Sequence, residues 1–233
     1  MIGVTQVESA ARPLRADAQL NRDRILAAAR DAFVERGAGV PLDEIARRAG
    51  TGIATLYRRF PDREALMRAV VLDALQRTGE EAEQAAAEEA DPFEALVRYM
   101  HRTLEIRIGA VIPVLLEEIS IEDDEMVRAR TSGSDALQGI IDRAHRAGTL
   151  RRDVTFADIG LLIVRMSRPL PGTFAGDVND ALGHRHLDLA IAGLRADGAD
   201  PGRLDGPALI LGVLKKMSPS SRRKTSAKAS RKK

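Results

Sequence analysis

Apolar residues recur at helical spacing along most of the chain. Over residues 21–36, Ile25, Ala28, Ala29, Ala32 and Phe33 fall on one side, which predicts an amphipathic helix. Gly37 and Gly39 stop it. Pro41 then opens a short helix, with Asp43 and Glu44 in its first turn facing the positive end of the dipole. Gly50 ends that helix, and a second short one is predicted over residues 52–59. After the Phe60-Pro61-Asp62 break, Asp62 caps a longer helix through Leu66, Val70 and Leu75. Residues 80–90 have helical propensity but almost no large apolar side chain, and read as a solvated extension or a linker. Asp91-Pro92 starts a helix carrying Phe93, Leu96, Val97, Met100 and Leu104, and Pro113 interrupts the next apolar segment. Further helices are predicted over residues 123–147, closing on Gly148, over residues 155–167, and over residues 180–196 after a loop with Pro169, Pro171, Gly172 and Gly176. A short apolar run covers residues 208–214. Strand alternation bounded by hairpin turns is not found, so the expected class is all-α. Residues 1–17 lack sustained periodicity and read as a flexible N-terminal arm.

Composition narrows the chemistry. The 233 residues are 44% hydrophobic and 30% charged, the balance of a soluble globular protein. Without a cysteine there is no disulfide framework, thiol catalysis, cysteine-ligated zinc or iron–sulfur cluster. No apolar run approaches the roughly 20 residues of a membrane-spanning helix, and residues 1–14 lack a signal-peptide pattern, so the expectation is a cytoplasmic protein with no membrane partner. Net charge is only +2, but it is unevenly distributed. Residues 79–214 carry 24 acidic against 14 basic side chains, whereas residues 215–233 carry nine basic and no acidic ones. That tail is expected to be disordered when free, and either to add salt-sensitive, non-specific DNA affinity or only to aid solubility.

The specific signal lies in residues 42–59. Two short helices that cross steeply share a very small core, so individual positions must be bulky, small or glycine. Ile45 and Ala49 supply the inward face of the first, and Ala46 is small enough for the second to approach. Gly50 stands where the turn calls for a left-handed backbone. Ile53 and Leu56 are read as the inward face of the second helix, leaving Thr55, Tyr57, Arg58 and Arg59 outward, with side chains suited to phosphates and base edges.

These residues resemble the DNA-binding domain of the TetR (tetracycline repressor) family. Ile25-Leu26-Ala27-Ala28-Ala29 with Phe33 and Gly37 is similar to its first helix, and Ile45-Ala46-Arg47-Arg48-Ala49-Gly50 to its second. The stretch from Thr55-Leu56-Tyr57-Arg58-Arg59-Phe60 to Pro61-Asp62-Arg63-Glu64-Ala65-Leu66 resembles the recognition helix and the entry to the fourth. More weakly, residues 148–155 and 193–195 resemble junctions of the family's ligand domain. The resemblance implies a three-helix helix-turn-helix domain at 18–66 and a larger helical ligand-binding and dimerisation domain at 67–214, between the arm at residues 1–17 and the basic tail at 215–233 already read from the sequence. It implies phosphate contact by Tyr57 and Arg63, base or phosphate contact by Thr55, Arg58 and Arg59, and base reading near Gly52, Ile53 and Ala54. Val40-Pro41 departs from the pattern, because a hydroxyl residue often caps the second helix there. Arg47 and Arg48 read as solvated or paired with Asp43 and Glu44.

In the body, Met100, His101, Met126 and His145 are candidates for a ligand pocket, set against a reading as partly buried helix-surface residues that is preferred for the histidines. His184 and His186, two apart on a helix, point away from each other and do not suggest a metal site. The acidic stretch from Glu117 to Glu125 reads as a solvated corner or a lure for a cationic ligand. No catalytic constellation or phosphate loop is found, so neither an enzyme nor a cofactor is expected. The candidate dimer helices carry Ile159, Leu162, Ile163 and Met166, and Leu187, Ala190, Ile191 and Leu194. The expectation is a regulator whose two recognition helices enter successive major grooves about 34–36 Å apart, released by a small-molecule effector. The alternative is an architectural DNA binder relying on the tail.

Overall fold

A computed structural model describes residues 5–168 and 176–196, with side chains from residue 17 onward. Among these are nine α-helices and no strand: α1 (Thr5–Arg36), α2 (Leu42–Arg48), α3 (Ile53–Arg59), α4 (Arg63–Glu88), α5 (Pro92–Ile106), α6 (Ile108–Leu115), α7 (Asp124–Ala147), α8 (Phe156–Met166) and α9 (Gly176–Leu194). The all-α expectation holds. The basic tail and the run at 208–214 lie outside the described residues. So do Pro169, Pro171 and Gly172 of the predicted loop, whereas Gly176 opens α9.

Two compact units divide at Asp73/Ala74, inside α4 rather than at the expected boundary after residue 66. In the first, α1 packs on α2 and α2 on α3. Ile25, Leu26 and Phe33 of α1 bury with Ile45, Leu56, Leu66 and Val70, each contributing about 1.5–3 kcal/mol by leaving water. The buried Arg30 and Asp73 pair at 3.5 Å. Helix α1 begins at Thr5, so the arm expected over residues 1–17 is corrected from residue 5 onward. Ala16, Ala18, Gln19 and Leu20 favour helix by propensity, and propensity leaves no trace in an apolar period.

In the second unit α5 is central, touching α6, α7, α8 and α9. Its core includes Phe93, Leu96, Met100, Leu137, Ile140 and Leu187. The Glu/Ala stretch is neither linker nor fully solvated. It continues α4, with Ala82 and Ala85 fully buried and Glu80, Glu83 and Gln84 exposed. Alanine on the inner face lets neighbouring helices come close without large side chains. Where α4 meets α7, Gly79 and Gly133 lie face to face, and a Cβ on either would sit 3.4 Å from the other's Cα.

The break expected at Pro113 falls instead at Arg107, the one described non-glycine residue with positive φ (58°). Pro113 lies inside α6, where it removes the amide that would donate to the Gly109 carbonyl without ending the helix. The Arg107 guanidinium reaches both carboxylate oxygens of Asp180 on α9, at 2.8 and 2.7 Å. Two residues later, a Cβ on Gly109 would stand 2.8 Å from the Cα of Val164, a backbone atom that cannot turn aside. Gly109→Ala is therefore expected to destabilise the protein by about 1–3 kcal/mol. Thermal denaturation checks this, and an unchanged midpoint would mean that α6 and α8 separate freely.

Capping follows the sequence closely. Asp62 accepts from the amide of Ala65 (2.7 Å), Asp91 from Phe93 (2.8 Å) and Asp123 from Met126 (3.1 Å). Thr155 and Asp158 form a reciprocal capping box on α8. Gly148 closes α7 with φ 71°. The segment that follows it pairs with the end of α9 through the amides of Arg151 (to Leu194 O, 3.1 Å) and Ala196 (to Thr149 O, 3.0 Å).

Candidate DNA interface and body cavity

Helices α2 and α3 are joined by a tight turn in which Gly50 has φ 65°. The Thr51 amide closes the turn on the Ala46 carbonyl at 2.9 Å. Inward, Leu42, Ile45, Ala46 and Ala49 meet Leu56 and Phe60, all buried. Ile53 does not join them. It is 38% exposed, next to Tyr57 at 48%, so the expected inward role of Ile53 is corrected. Three residues before Leu56 at the start of a seven-residue helix, it lies beyond the edge of the small shared core.

The outward surface of α3 thus presents Ile53, Ala54, Tyr57, Arg58 and Arg59. Thr55 is half-buried, and its hydroxyl accepts from Arg58 Nη2 at 2.7 Å. Gly52 stands as N-cap of α3 and is exposed. Arg63 has a second duty, since its Nη1 donates to the carbonyls of Ala38 (2.8 Å) and Val40 (2.7 Å) and ties the α1–α2 turn to α4. It also shares a shallow groove with Ile53 and Tyr57. Pro41 occupies the N-cap of α2 without a side-chain hydrogen bond, as the Val40-Pro41 departure implied.

The remaining charges sort themselves. Arg48 bonds Glu35 (2.7 Å) and Glu44 (2.8 Å), and Arg36 also reaches Glu44. Burial raises the Glu44 carboxyl, but the hydrogen bonds from Arg36 and Arg48 outweigh it and hold the group below its ordinary value. Arg47 is exposed. Arg36 and Arg48 are thus engaged in joining α1 to α2, while the guanidiniums of α3 face outward.

In the body, α4, α5, α6, α7 and α8 line a partly open cavity of about 220 Å³. Its wall is mostly apolar, including Leu75, Ile108, Ile112, Phe156 and Ile163, with Tyr99 and Thr103 among the few polar members. Burial pushes the Tyr99 phenol up to about 12, with the adjacent Thr103 hydroxyl pulling slightly the other way. With Tyr57→Phe leaving Tyr99 as the one tyrosine, absorbance at 295 nm is expected to report ionisation near pH 12. The sign follows from linkage. The unfolded chain ionises this phenol from about pH 10, so stability falls by roughly 1.4 kcal/mol per pH unit between the two values. Ionisation at the ordinary tyrosine value would show that water reaches this cavity wall.

None of the four expected pocket residues lines this cavity. Met100 is fully buried in the core, and Met126 is buried at the first turn of α7. His145 Nε2 lies 3.0 Å from the carbonyl of Arg151. His101 faces α9, where its ring stacks on His184 with Nδ1 atoms 2.8 Å apart, one donating and one accepting. Its Nε2 lies 3.0 Å from Asp188 Oδ1. The His101–His184 contact joins residues 83 positions apart and has no local sequence signal. His186, two residues on, is exposed. Among the described residues no three histidine or acidic side chains are grouped to hold a metal, and no helix is long and apolar enough to cross a membrane.

The expected dimer residues divide by direction. Ile159, Ile163, Leu187 and Ile191 are buried in the protomer's own core, so they are not available to a partner. Leu162, Met166, Ala190 and Leu194 are half-buried. The outer face of α9 instead carries Val178 (42% exposed) and Leu189 (65% exposed).

A tight helix-turn-helix with its cationic helix turned outward, on a chain with a separate helical body, defines the helix-turn-helix class of DNA-binding regulators. Comparison makes the assignment specific. Residues 25–70 match the profile of bacterial regulatory proteins of the tetR family, and residues 91–196 that of the SbtR-like transcriptional regulator C-terminal domain. A TetR regulatory protein from Mycobacterium vanbaalenii is 35% identical, over 78% of this chain and 99% of that one, with TM-score 0.57. A TetR regulator from Streptomyces coelicolor is 31% identical over 76% and 99%, with TM-score 0.55. Helix-turn-helix-type regulators of two Mycobacterium tuberculosis strains are 41% identical over 87 residues, 37% of this chain and less than half (43%) of theirs. The chain belongs to the TetR family. It is a DNA-binding transcriptional regulator and not an enzyme.

Proposed function

We propose that this regulator is a homodimer that represses from a near-palindromic operator and is released by a small-molecule effector. The observation that carries the ligand-responsive part is the body cavity, because Leu75 and Thr78 of α4 form part of its wall. The same helix begins at Arg63, directly after the recognition helix. A ligand that favours one arrangement of α4 over another thereby acts on the element leading to the DNA-reading residues. It does so only by as much as its affinity differs between the two states.

Tyr57, Arg58, Arg59 and Arg63 are the side chains proposed to grip phosphates and bases, together with Thr55 and the small face of Gly52, Ile53 and Ala54. With little hydrogen bonding on that small face, selectivity rests on Thr55, the arginines and DNA shape. Tyr57→Ala and Arg58→Ala are each expected to weaken operator binding by about 1–3 kcal/mol without altering oligomeric state. Titration at matched salt checks this, and unchanged affinity removes the residue from the interface.

For the partner contact, Val178, Leu182, Arg185, Leu189 and Ala192 follow a 4-3-4-3 spacing and make one outward stripe of α9. Leu187 and Ile191 lie on the opposite side, facing the core. We assign the dimer contact to this outward stripe.

The test is selection of random DNA duplexes by the purified full chain and by residues 1–214. Recovery of one near-palindromic site by both establishes the operator. Recovery of nothing selective, with affinity vanishing when the tail is removed, leaves an architectural binder.

A further inference from the structure

The cavity's polar groups identify the kind of molecule that fills it. Thr103 is 2% exposed, and its hydroxyl has no partner at hydrogen-bond geometry, lying beside only the Tyr99 phenol. A buried, unsatisfied hydroxyl is uncommon in a native protein and calls for a ligand or water to complete it. The other small hydroxyls on the wall are already engaged. Thr78 Oγ1 donates to the Ala74 carbonyl at 2.7 Å, and Ser134 Oγ to that of Arg130 at 2.8 Å. Thr103 and the buried Tyr99 one helical turn before it, paired at most with each other, are therefore the hydroxyls left to meet a guest. Water is a poor occupant, because it needs two to four polar partners and most of this wall is apolar.

Charge is disfavoured for the same reason. No Asp, Glu, His or Lys lines the cavity, so a cation has no counter-charge. Arg130 is the one charged lining residue, and it is half-buried. An anion would have to leave water for a mostly apolar wall, where burial already raises the Tyr99 phenol. A neutral oxygen, by contrast, accepts from either hydroxyl at little desolvation cost.

Resting on the ligand-responsive reading above, we propose that the effector is an uncharged, mainly aliphatic molecule with a single ketone, alcohol or lactone group, held by the hydroxyls of Thr103 and Tyr99. Volume limits its size. A cavity of 220 Å³ equals about seven liquid-water volumes and is smaller than a drug-sized pocket, which leaves room for about nine or ten non-hydrogen atoms.

The experiment uses the full chain with octan-2-one, octan-1-ol, octanoate and octylamine, matched in chain length and differing in the head group. Octan-2-one and octan-1-ol are expected to bind by calorimetry and to raise the thermal midpoint, whereas octanoate and octylamine do neither. Thr103→Val keeps the side-chain shape and is expected to weaken octan-2-one about tenfold, because one hydrogen bond is lost. Tyr99→Phe provides a second variant should the first fail to fold. Octanoate binding more tightly than octan-2-one overturns the proposal in favour of Arg130 as anchor. Unchanged ketone affinity in both variants also overturns it. Failure of all four compounds, with DNA selection intact, removes this ligand class and leaves the regulator reading standing. Failure of DNA selection removes that reading instead.

Discussion

Phe33→Ala is expected to abolish operator binding although Phe33 contacts no DNA. Its ring is fully buried on α1, in the core that also holds Ile25, Ile45, Leu56 and Leu66. Truncation leaves a void and forfeits the ring's transfer from water, a loss of about 3–5 kcal/mol for a buried phenylalanine. The first unit spans only Met1–Asp73, and a domain this small has little stability in reserve. The recognition helix α3 is seven residues long, too short to persist without the core beneath it. DNA titration and thermal denaturation read the two consequences, and Phe33→Leu is expected to restore much of both. Wild-type affinity in Phe33→Ala would mean that the unit repacks around the void.

Leu189→Glu is expected to have a comparably large effect by another route. Leu189 is 65% exposed in the protomer, so a charge there leaves the fold intact, yet it lies on the proposed partner stripe of α9. Two glutamates brought together across a two-fold axis repel in a contact that would otherwise be dry. Sedimentation is expected to find a folded monomer. Operator affinity should fall at least about a hundredfold, because the two half-sites are no longer read by one molecule. A dimer that survives the substitution would move the interface away from this face.

The contrast between Leu187 and Leu189 also shows where sequence reading stops. Both faces of α9 are apolar, and periodicity alone does not say which one the protomer keeps for itself. The choice of Leu187, Ile191 and their α8 counterparts as dimer residues therefore selected the inner face. Local signals fared better. Gly50, Gly148 and the caps at Asp62, Asp91 and Asp123 were legible because each acts through its own neighbours. The outward side chains of α3 were legible for the same reason, apart from Ile53, whose exposure depends on how far the shared core extends. The cavity was not legible. Its wall draws on five helices, and residues as dispersed as Leu75, Thr103, Ile112 and Phe156 share no spacing that marks them as neighbours. Nor does histidine content foretell that His101 stacks on His184.

The bare contact between Gly79 and Gly133 has a mechanical consequence. With no side chain between the two backbones, α4 is pinned there closely and can pivot without first displacing a rotamer. A bulkier residue at either glycine would push α4 and α7 apart and jam this bearing.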